Sequence, residues 1–355
     1  MRNEPTADAH IDDSTIDPVV TPPVLMAEES RGIVSRDQPQ VKFGGARLFR
    51  TMTRLIHVHL LKPEYIWRPS QVVRRLSFRP SVEIKPLPLP WHCTINACSA
   101  ELIGRFIAKH GVYDLPLTEA VLRLTDAGDV AVDVGANIGY MTMALALSAG
   151  PEGRVCCFEP NPDLIPILRM NVANWSSLQL APIQIKTIAL SDRNGEGVLG
   201  FPDDYAGNKG LASLELKNAG VPVSVRRLDA LEEAGNIGIM KIDVEGHEAA
   251  VLSGAEKLLS RKLVRDILFE EHEPYPAPSH KLLLEHGYHT FRVTGSIWRP
   301  LLLHPGAPPS QTFLPPSYPP NFLATRDPKR ALARFSSGGW CALSARLCST
   351  QAKRP

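Results

Sequence analysis

Two clusters of residues have types and spacings that could do chemistry. The first is the run Asp133-Val134-Gly135-Ala136-Asn137-Ile138-Gly139, which joins an apolar stretch to a helical pattern. A backbone that turns sharply and approaches a ligand closely needs residues without a Cβ, or Asn, which tolerates left-handed geometry. Glu159 stands twenty-four positions beyond Gly135, at the end of the next apolar stretch. A doubly wound nucleotide site carries its ribose-binding carboxylate at about that distance. Turn and carboxylate together describe a nucleoside pocket. The glycine spacing is G-x-x-x-G and not the G-x-G-x-x-G that seats a pyrophosphate on a helix N-terminus, and Asp133 would repel phosphates. A cationic or zwitterionic ligand suits the turn better: S-adenosylmethionine has a ribose, a sulfonium and an amino acid, and no phosphate. A structural turn beside an incidental surface glutamate is the plainer alternative.

The second cluster is Asp243, Glu245, His247 and Glu248, within six residues and just after Lys241. Asp243 and Glu245 share one face if the strand carrying them persists, and Gly246 permits the turn into a helix. Beside a sulfonium such a cluster could align an acceptor for in-line displacement. It could also take a hydroxyl proton, with His247 or a carboxylate as general base. Glu270, Glu271 and His272 end a further strand and could face the same cleft. Two carboxylates and a histidine are also able to hold a divalent ion; base catalysis without a metal ranks above that reading. Lys241 reads as a strand-edge charge and Glu248 as compensation of a helix dipole.

Both clusters need a scaffold that brings strand ends together. Apolar runs at 130–135, 154–160, 183–192, 237–244, 266–272, 288–293 and 321–325 alternate with helical patterns at 140–150, 162–175, 247–262 and 279–287. Strands this apolar, separated by helices, belong in a parallel sheet covered on both faces. The expected fold is α/β, an open, doubly wound, mostly parallel sheet of seven strands. Ligands of such sheets bind beyond the carboxyl ends of the strands, where both clusters lie.

Composition sets the bounds. With 355 residues, 44% hydrophobic and 21% charged, the chain has room for a substantial core, which excludes collagen-like and wholly disordered classes. A net charge of +2 does not mark a nucleic-acid binder, and no nucleic-acid partner is expected. Residues 1–40 carry eight acidic and three basic side chains and read as a disordered acidic tail. Residues 41–80 invert the balance, with nine Lys/Arg against Glu64 alone, interleaved with apolar side chains. They describe a basic, partly helical extension, drawn here to residue 90. It could touch a membrane surface weakly, an acidic partner or RNA, or pack as a solvated helix on the main domain. The main domain is placed at 91–326 and a flexible tail at 327–355. Six cysteines without CxxC spacing read as free thiols of a reducing compartment, with no disulfide framework. No apolar run reaches the roughly eighteen residues of a membrane span, and the N-terminus has no secretory pattern; a cytoplasmic location is the default expectation.

The motifs DVGANIGYMT (133–142), FEPNP (158–162), ALSD (189–192), KIDVEGHE (241–248), VLSGA (251–255) and FEEH (269–272), in this order and spacing, resemble the FkbM family of class I methyltransferases. The resemblance spans about residues 110–295. It implies a Rossmann-like fold, S-adenosylmethionine as methyl donor, and a hydroxyl of a sugar or other secondary metabolite as acceptor. Carried over by position, Gly135, Ala136, Asn137 and Gly139 lie beneath the methionine part of the cofactor. Glu159 meets the ribose, shaped by Pro160 and Asn161, and Ser191 and Asp192 lie near the adenine. The expected partner is a small-molecule or glycan acceptor. A second reading is a noncatalytic binding or scaffold protein with a degenerate methyltransferase core and a basic interaction segment. A nicotinamide dehydrogenase is disfavoured by the glycine spacing.

Overall fold

The computed structural model describes residues 62–203, 205–216, 220–231, 235–308 and 320–344, all within one compact unit, Phe49–Pro355. The acidic tail at 1–40, the basic extension up to residue 61 and the chain beyond 344 lie outside the described residues.

Two short helices, α1 (Pro63–Trp67) and α2 (Ser70–Leu76), lead into an antiparallel hairpin of β1 (Ile84–Pro88) and β2 (Thr94–Cys98). Helices α3 (Leu102–His110) and α4 (Leu115–Leu124) follow. The alternating region then begins with β3 (Val130–Val134), α5 (Tyr140–Ala149), β4 (Arg154–Phe158), α6 (Ile165–Asn174) and β5 (Ile183–Lys186). Next come β6 (Ala189–Leu190), β7 (Gly195–Gly200) and β8 (Gly220–Arg226), followed by β9 (Ile237–Ile242), α7 (Glu248–Ser253), α8 (Glu256–Ser260) and β10 (Val264–Glu270). The last elements are α9 (Pro278–Glu285), β11 (His289–Gly295), β12 (Pro300–Leu303), β13 (Asn321–Thr325) and α10 (Pro328–Ser336).

Among the described residues, eight strands form one sheet in the order β12-β11-β13-β10-β9-β3-β4-β5. The five strands from β10 to β5 are parallel to their neighbours, whereas β13 runs antiparallel between β10 and β11. This is the expected doubly wound, mostly parallel α/β fold, with β12 as an eighth strand at the edge. The apolar strands account for it. On β3, Ala131 joins one core layer with α4 and α5, while Val132 and Val134 face a second layer with α7 and α9. Alternate side chains thus bury both faces. The chain leaves β5 and re-enters the sheet at β9 on the opposite side of β3, so the switch point lies at the carboxyl ends of β3 and β9.

Four local expectations change. The run 183–192 is two strands: β5 stays in the main sheet, and β6 pairs with β8 in a separate sheet of order β6-β8-β7. The apolar alternation slips from Ile183 and Ile185 to Ile188 and Leu190, and a one-residue slip moves side chains to the other face. The helix expected over 247–262 is broken into α7 and α8 around Gly254, where a Cβ would stand 1.9 Å from the Ser191 carbonyl oxygen. The flexible tail expected from residue 327 contains α10, capped by Asp327 Oδ1 accepting from Arg330 N–H at 2.9 Å. Cys341 is disulfide-bonded, to a partner outside the described residues; Cys93, Cys98, Cys156 and Cys157 are free. No helix among the described residues is long and apolar enough to cross a membrane.

Charge holds the C-terminal segment down. Arg123, 2% exposed, donates to Glu119 Oε1 at 2.6 Å, to the Ser337 hydroxyl at 2.6 Å and to the Gly339 carbonyl at 3.1 Å. Glu119 also accepts from the N–H groups of Cys341 and Ala342 at 3.0 and 2.7 Å. Removing the carboxylate would strand a buried guanidinium. Glu119→Ala is expected to cost about 3–5 kcal/mol, read as a lower urea midpoint at unchanged slope.

Candidate functional site

Beyond the carboxyl ends of β3, β4, β9 and β10 lies a cavity of about 250 Å³. Its floor is the turn after β3. Gly135 has φ +76°, and a Cβ there would stand 1.9 Å from the Asp243 carbonyl oxygen; only glycine allows the turn to lie against the end of β9. The N–H groups of Gly135 and Ala136 both donate to the Phe158 carbonyl at 3.0 Å, tying the turn to β4. Asn137 follows in the left-handed region at φ 54°. Its carboxamide oxygen accepts from Ile138 N–H at 2.8 Å, the local bond that makes Asn tolerable there.

Glu159 stands at the carboxyl end of β4, 5% exposed. Its Oε2 accepts from Asn137 N–H at 2.7 Å and its Oε1 from Asn161 N–H at 2.8 Å. The carboxylate is thereby fixed in orientation, with lone pairs left for a ligand. Burial pushes its carboxyl up to about 7, opposed by those two N–H groups and by Lys241. Asn161 also donates to the Lys209 carbonyl at 3.0 Å, which draws the loop after β7 over the cavity.

Lys241 is the charge at the centre. It pairs in register with Asp133 across β3 and β9, and the two are 3% and 0% exposed. Its Nζ lies 3.3 Å from Asp133 Oδ1 and 3.5 Å from Asp243 Oδ2, and donates to the Gly135 carbonyl at 2.8 Å. Burial would lower the ammonium, but Asp243 and Asp133 outweigh it and hold the group well above its ordinary value. Asp133 is raised by burial against the pull of Lys241 and of Thr142, whose hydroxyl donates to it at 2.6 Å.

The acidic wall lies past β9 and β10. Asp243, Glu245, His247, Glu270 and His272 all line the cavity. The strand ends at Ile242, however, and Glu245 has φ 55°; Asp243 and Glu245 meet across a turn, not on one strand face. Glu270 Oε1 is 2.6 Å from His272 Nε2. Burial, then Asp243, Glu245, Asp114 and Glu248, push the Glu270 carboxyl up to about 9. Burial with Asp243 and Glu248 brings Glu245 to about 7. His247 has both ring nitrogens engaged, Nε2 with Ser191 Oγ at 2.8 Å and Nδ1 with Glu215 Oε1 at 2.5 Å. It therefore clasps the loop before β8 to the end of β6. Among the described residues no three His, Cys, Asp or Glu side chains gather at metal-holding spacing.

Of the residues expected around the cofactor, Gly135, Ala136, Asn137, Glu159, Pro160 and Asn161 line the cavity. Asp133 sits behind the wall on Lys241. Gly139 opens α5 at φ +94°, where a Cβ would stand 2.8 Å from Leu168 Cδ1. Ser191 and Asp192, which follow Ala189 and Leu190, are not among the residues lining the cavity; Ser191 is buried, Asp192 exposed, and the Ser191 hydroxyl donates to Asp192 Oδ1 at 3.0 Å. Lys241 is not a strand-edge charge; β9 is central, and the side chain is buried between two carboxylates. Glu248 does more than offset a helix dipole, since its Oε1 accepts from Val244 N–H at 3.0 Å and closes the turn. Sequence reasoning missed Tyr113, Tyr140 and Met141, and the loop from Asn208 to Leu214. Tyr140 and Met141 directly follow Gly139 and were within reach; Tyr113 and the loop carry no motif.

The geometry yields a test of the central charge. Lys241→Met leaves Asp133 buried without a counter-ion, and a loss of about 3–5 kcal/mol is expected. Adding Asp133→Asn should recover a large part of it, a coupling that a double-mutant cycle in urea would measure.

The methyltransferase FkbM domain profile matches residues 133–290, from the buried aspartate to β11. The chain is 30% identical over 231 residues to the 31-O-demethyl-FK506 methyltransferase FkbM of Streptomyces tacrolimicus, covering 54% of this chain and 82% of that one. It is 29% identical over 146 residues to a protein-L-isoaspartate O-methyltransferase of Caenorhabditis elegans, covering 40% of this chain and 60% of that protein. Against the hexuronic acid methyltransferase AglP of Haloferax volcanii it is 29% identical over 164 residues, 45% of this chain and 63% of that one. The chain thus spans less than two thirds of the length of the C. elegans and H. volcanii relatives.

Proposed function

The chain belongs to the FkbM family of methyltransferases, and on that premise we propose that it transfers a methyl group from S-adenosylmethionine to a hydroxyl oxygen of a sugar or other secondary metabolite. The observation that carries this reading is the carboxyl lining of the cavity. Glu159, Asp243, Glu245 and Glu270 line it, and the lining cations are Lys209, 3.4 Å from Glu101, and Lys241, held between Asp133 and Asp243. Such a donor set suits ribose hydroxyls and a sulfonium and opposes a diphosphate. The names of the S. tacrolimicus and H. volcanii relatives favour a secondary metabolite or a sugar as acceptor.

When bound, S-adenosylmethionine supplies an electrophilic methyl group on a sulfonium. The residues of this chain supply the rest. Glu159, braced by Asn137 and Asn161, accepts hydrogen bonds from the ribose, and the Gly135 turn, held against the end of β9 where a Cβ would strike the Asp243 carbonyl, floors the pocket for the methionine part. Apolar Ile188 and Leu190 offer a surface for the base. Glu270 and His272, which line the cavity 2.6 Å apart, are the groups we assign to take the acceptor hydroxyl's proton. A carboxylate whose acid form titrates near 9 is a strong base once ionised, and exposed His272 passes the proton to solvent.

Isothermal titration with S-adenosylhomocysteine tests the premise, and absence of binding would overturn it. Glu159→Ala is expected to weaken binding by roughly one to two orders of magnitude. The ionised carboxylate is the form that accepts from hydroxyls. Affinity should therefore be full above a pH of about 7 and fall below it, by up to about tenfold per unit; Glu159→Gln should flatten that slope.

Transfer of labelled methyl to a panel of polyols tests the reaction. The acceptor kcat/KM should rise through the alkaline range, pass half its maximum near pH 9 and level off above it. Glu270→Gln should lower kcat by about 10²–10⁴-fold and leave S-adenosylhomocysteine binding in place. Loss of both together would point to a structural role for Glu270.

A further inference from the structure

One polar side chain that lines the cavity has no part in the chemistry assigned above. Tyr113 stands in the short link between α3 and α4, its ring edge to face with Phe106 and with Tyr140 at centroid separations of 6.0 Å. The next residue pins that link. Asp114 lies in the left-handed region at φ 38°, which Asp tolerates because its short side chain bonds locally; here its Oδ1 accepts from Leu117 N–H at 3.1 Å. Its Oδ2 accepts from the side-chain amide of Asn321 at 2.7 Å, and both residues are buried. Asn321 opens β13 and is the register partner of Glu270 at the end of β10. A buried bridge thus sets Tyr113 against the strand that carries Glu270.

The phenol meets carboxyl groups and bonds none. Burial, then Asp243, Asp114, Glu270 and Glu245, hold it well above the ordinary tyrosine value, so the group stays a neutral O–H and a donor. Asp243, Glu245 and Glu270 line the cavity with it. Among the described residues its hydroxyl has no hydrogen-bond partner, whereas the hydroxyls of Tyr65, Tyr140 and Tyr288 each have one. A donor enclosed among acceptors and touching none of them leaves a place for a bridging oxygen.

We propose that Tyr113 determines specificity on the acceptor side, its hydroxyl donating to an acceptor oxygen next to the one whose proton Glu270 takes. The proposal rests on the methyltransferase reading. It narrows the acceptors to compounds with oxygens on neighbouring carbons. A lone alcohol satisfies Glu270 but leaves the phenol donor unpartnered away from water. A site built to hydrogen-bond a group rejects the analogue that lacks it. The phenol proton is not transferred; Tyr113 orients the acceptor, and alignment with the methyl group is what that orientation contributes.

Saturation-transfer NMR on the full chain with S-adenosylhomocysteine bound tests it, with vicinal cyclohexanediol and cyclohexanol as probes. The diol should bind at least about tenfold more tightly than cyclohexanol. Tyr113→Phe keeps the ring and its two edge contacts; it should bring the probes within about twofold of each other and leave S-adenosylhomocysteine binding as it was. Labelled methyl transfer to the diol should fall by about tenfold in that variant, chiefly through KM. Equal affinity for the two probes, no contact from either, or a preference that survives Tyr113→Phe would overturn the proposal. So would weaker S-adenosylhomocysteine binding by the variant, which would put the hydroxyl on the donor side. An unsubstituted chain that does not bind S-adenosylhomocysteine would sink the methyltransferase reading itself, and the proposal with it.

Discussion

The Lys241 ammonium is the interaction on which the rest of the site depends. It is buried in a central strand between Asp133 and Asp243 and reaches the carbonyl of Gly135. A charge so placed is tolerable only when its partners and hydrogen bonds are complete. One cation therefore fixes three things at once: the register of β3 on β9, the glycine turn that floors the cavity, and the side chain of the first carboxylate on the acidic wall. Asp133, which does not line the cavity, shapes it through this ion.

The acidic wall gains its character from crowding. Asp243, Glu245 and Glu270 converge from the ends of neighbouring strands, with Lys241 engaged beneath them. Burial and mutual repulsion raise Glu245 and Glu270, so near neutral pH the wall holds part of its protons and presents carboxyl O–H donors beside carboxylate acceptors. Glu159 is raised in the same sense by burial, yet its two backbone N–H bonds keep it oriented.

Much of this was legible in the sequence, for physical reasons. Runs such as 130–134 and 154–158 have apolar residues on both faces, and that is the mark of a covered parallel strand. Gly135 and Asn137 announce a turn because few other residues adopt its backbone. Lys241 was misread because a lysine in a strand is usually exposed, and no spacing along the chain reveals that Asp133 lies across from it. His247 is a suitable base by type, but its ring nitrogens meet Ser191 and Glu215 from distant loops, and such contacts have no signature in one chain. Helix α10 was readable: Ala331 and Phe335 recur at i, i+4 between arginines, and the nearby prolines masked that pattern.

The small sheet of β6, β7 and β8 hangs off the main one as a separate module, and the span between β7 and β8 carries Asn208 to Leu214 over the cavity. The parallel scaffold holds the glycine turn and Glu159, so it stays under the constraint of its own register. The appended module has no such duty. The roof therefore hangs on the floor by a few side-chain bonds, among them Asn161 to the Lys209 carbonyl and His247 to Glu215, and not by the register of the main sheet.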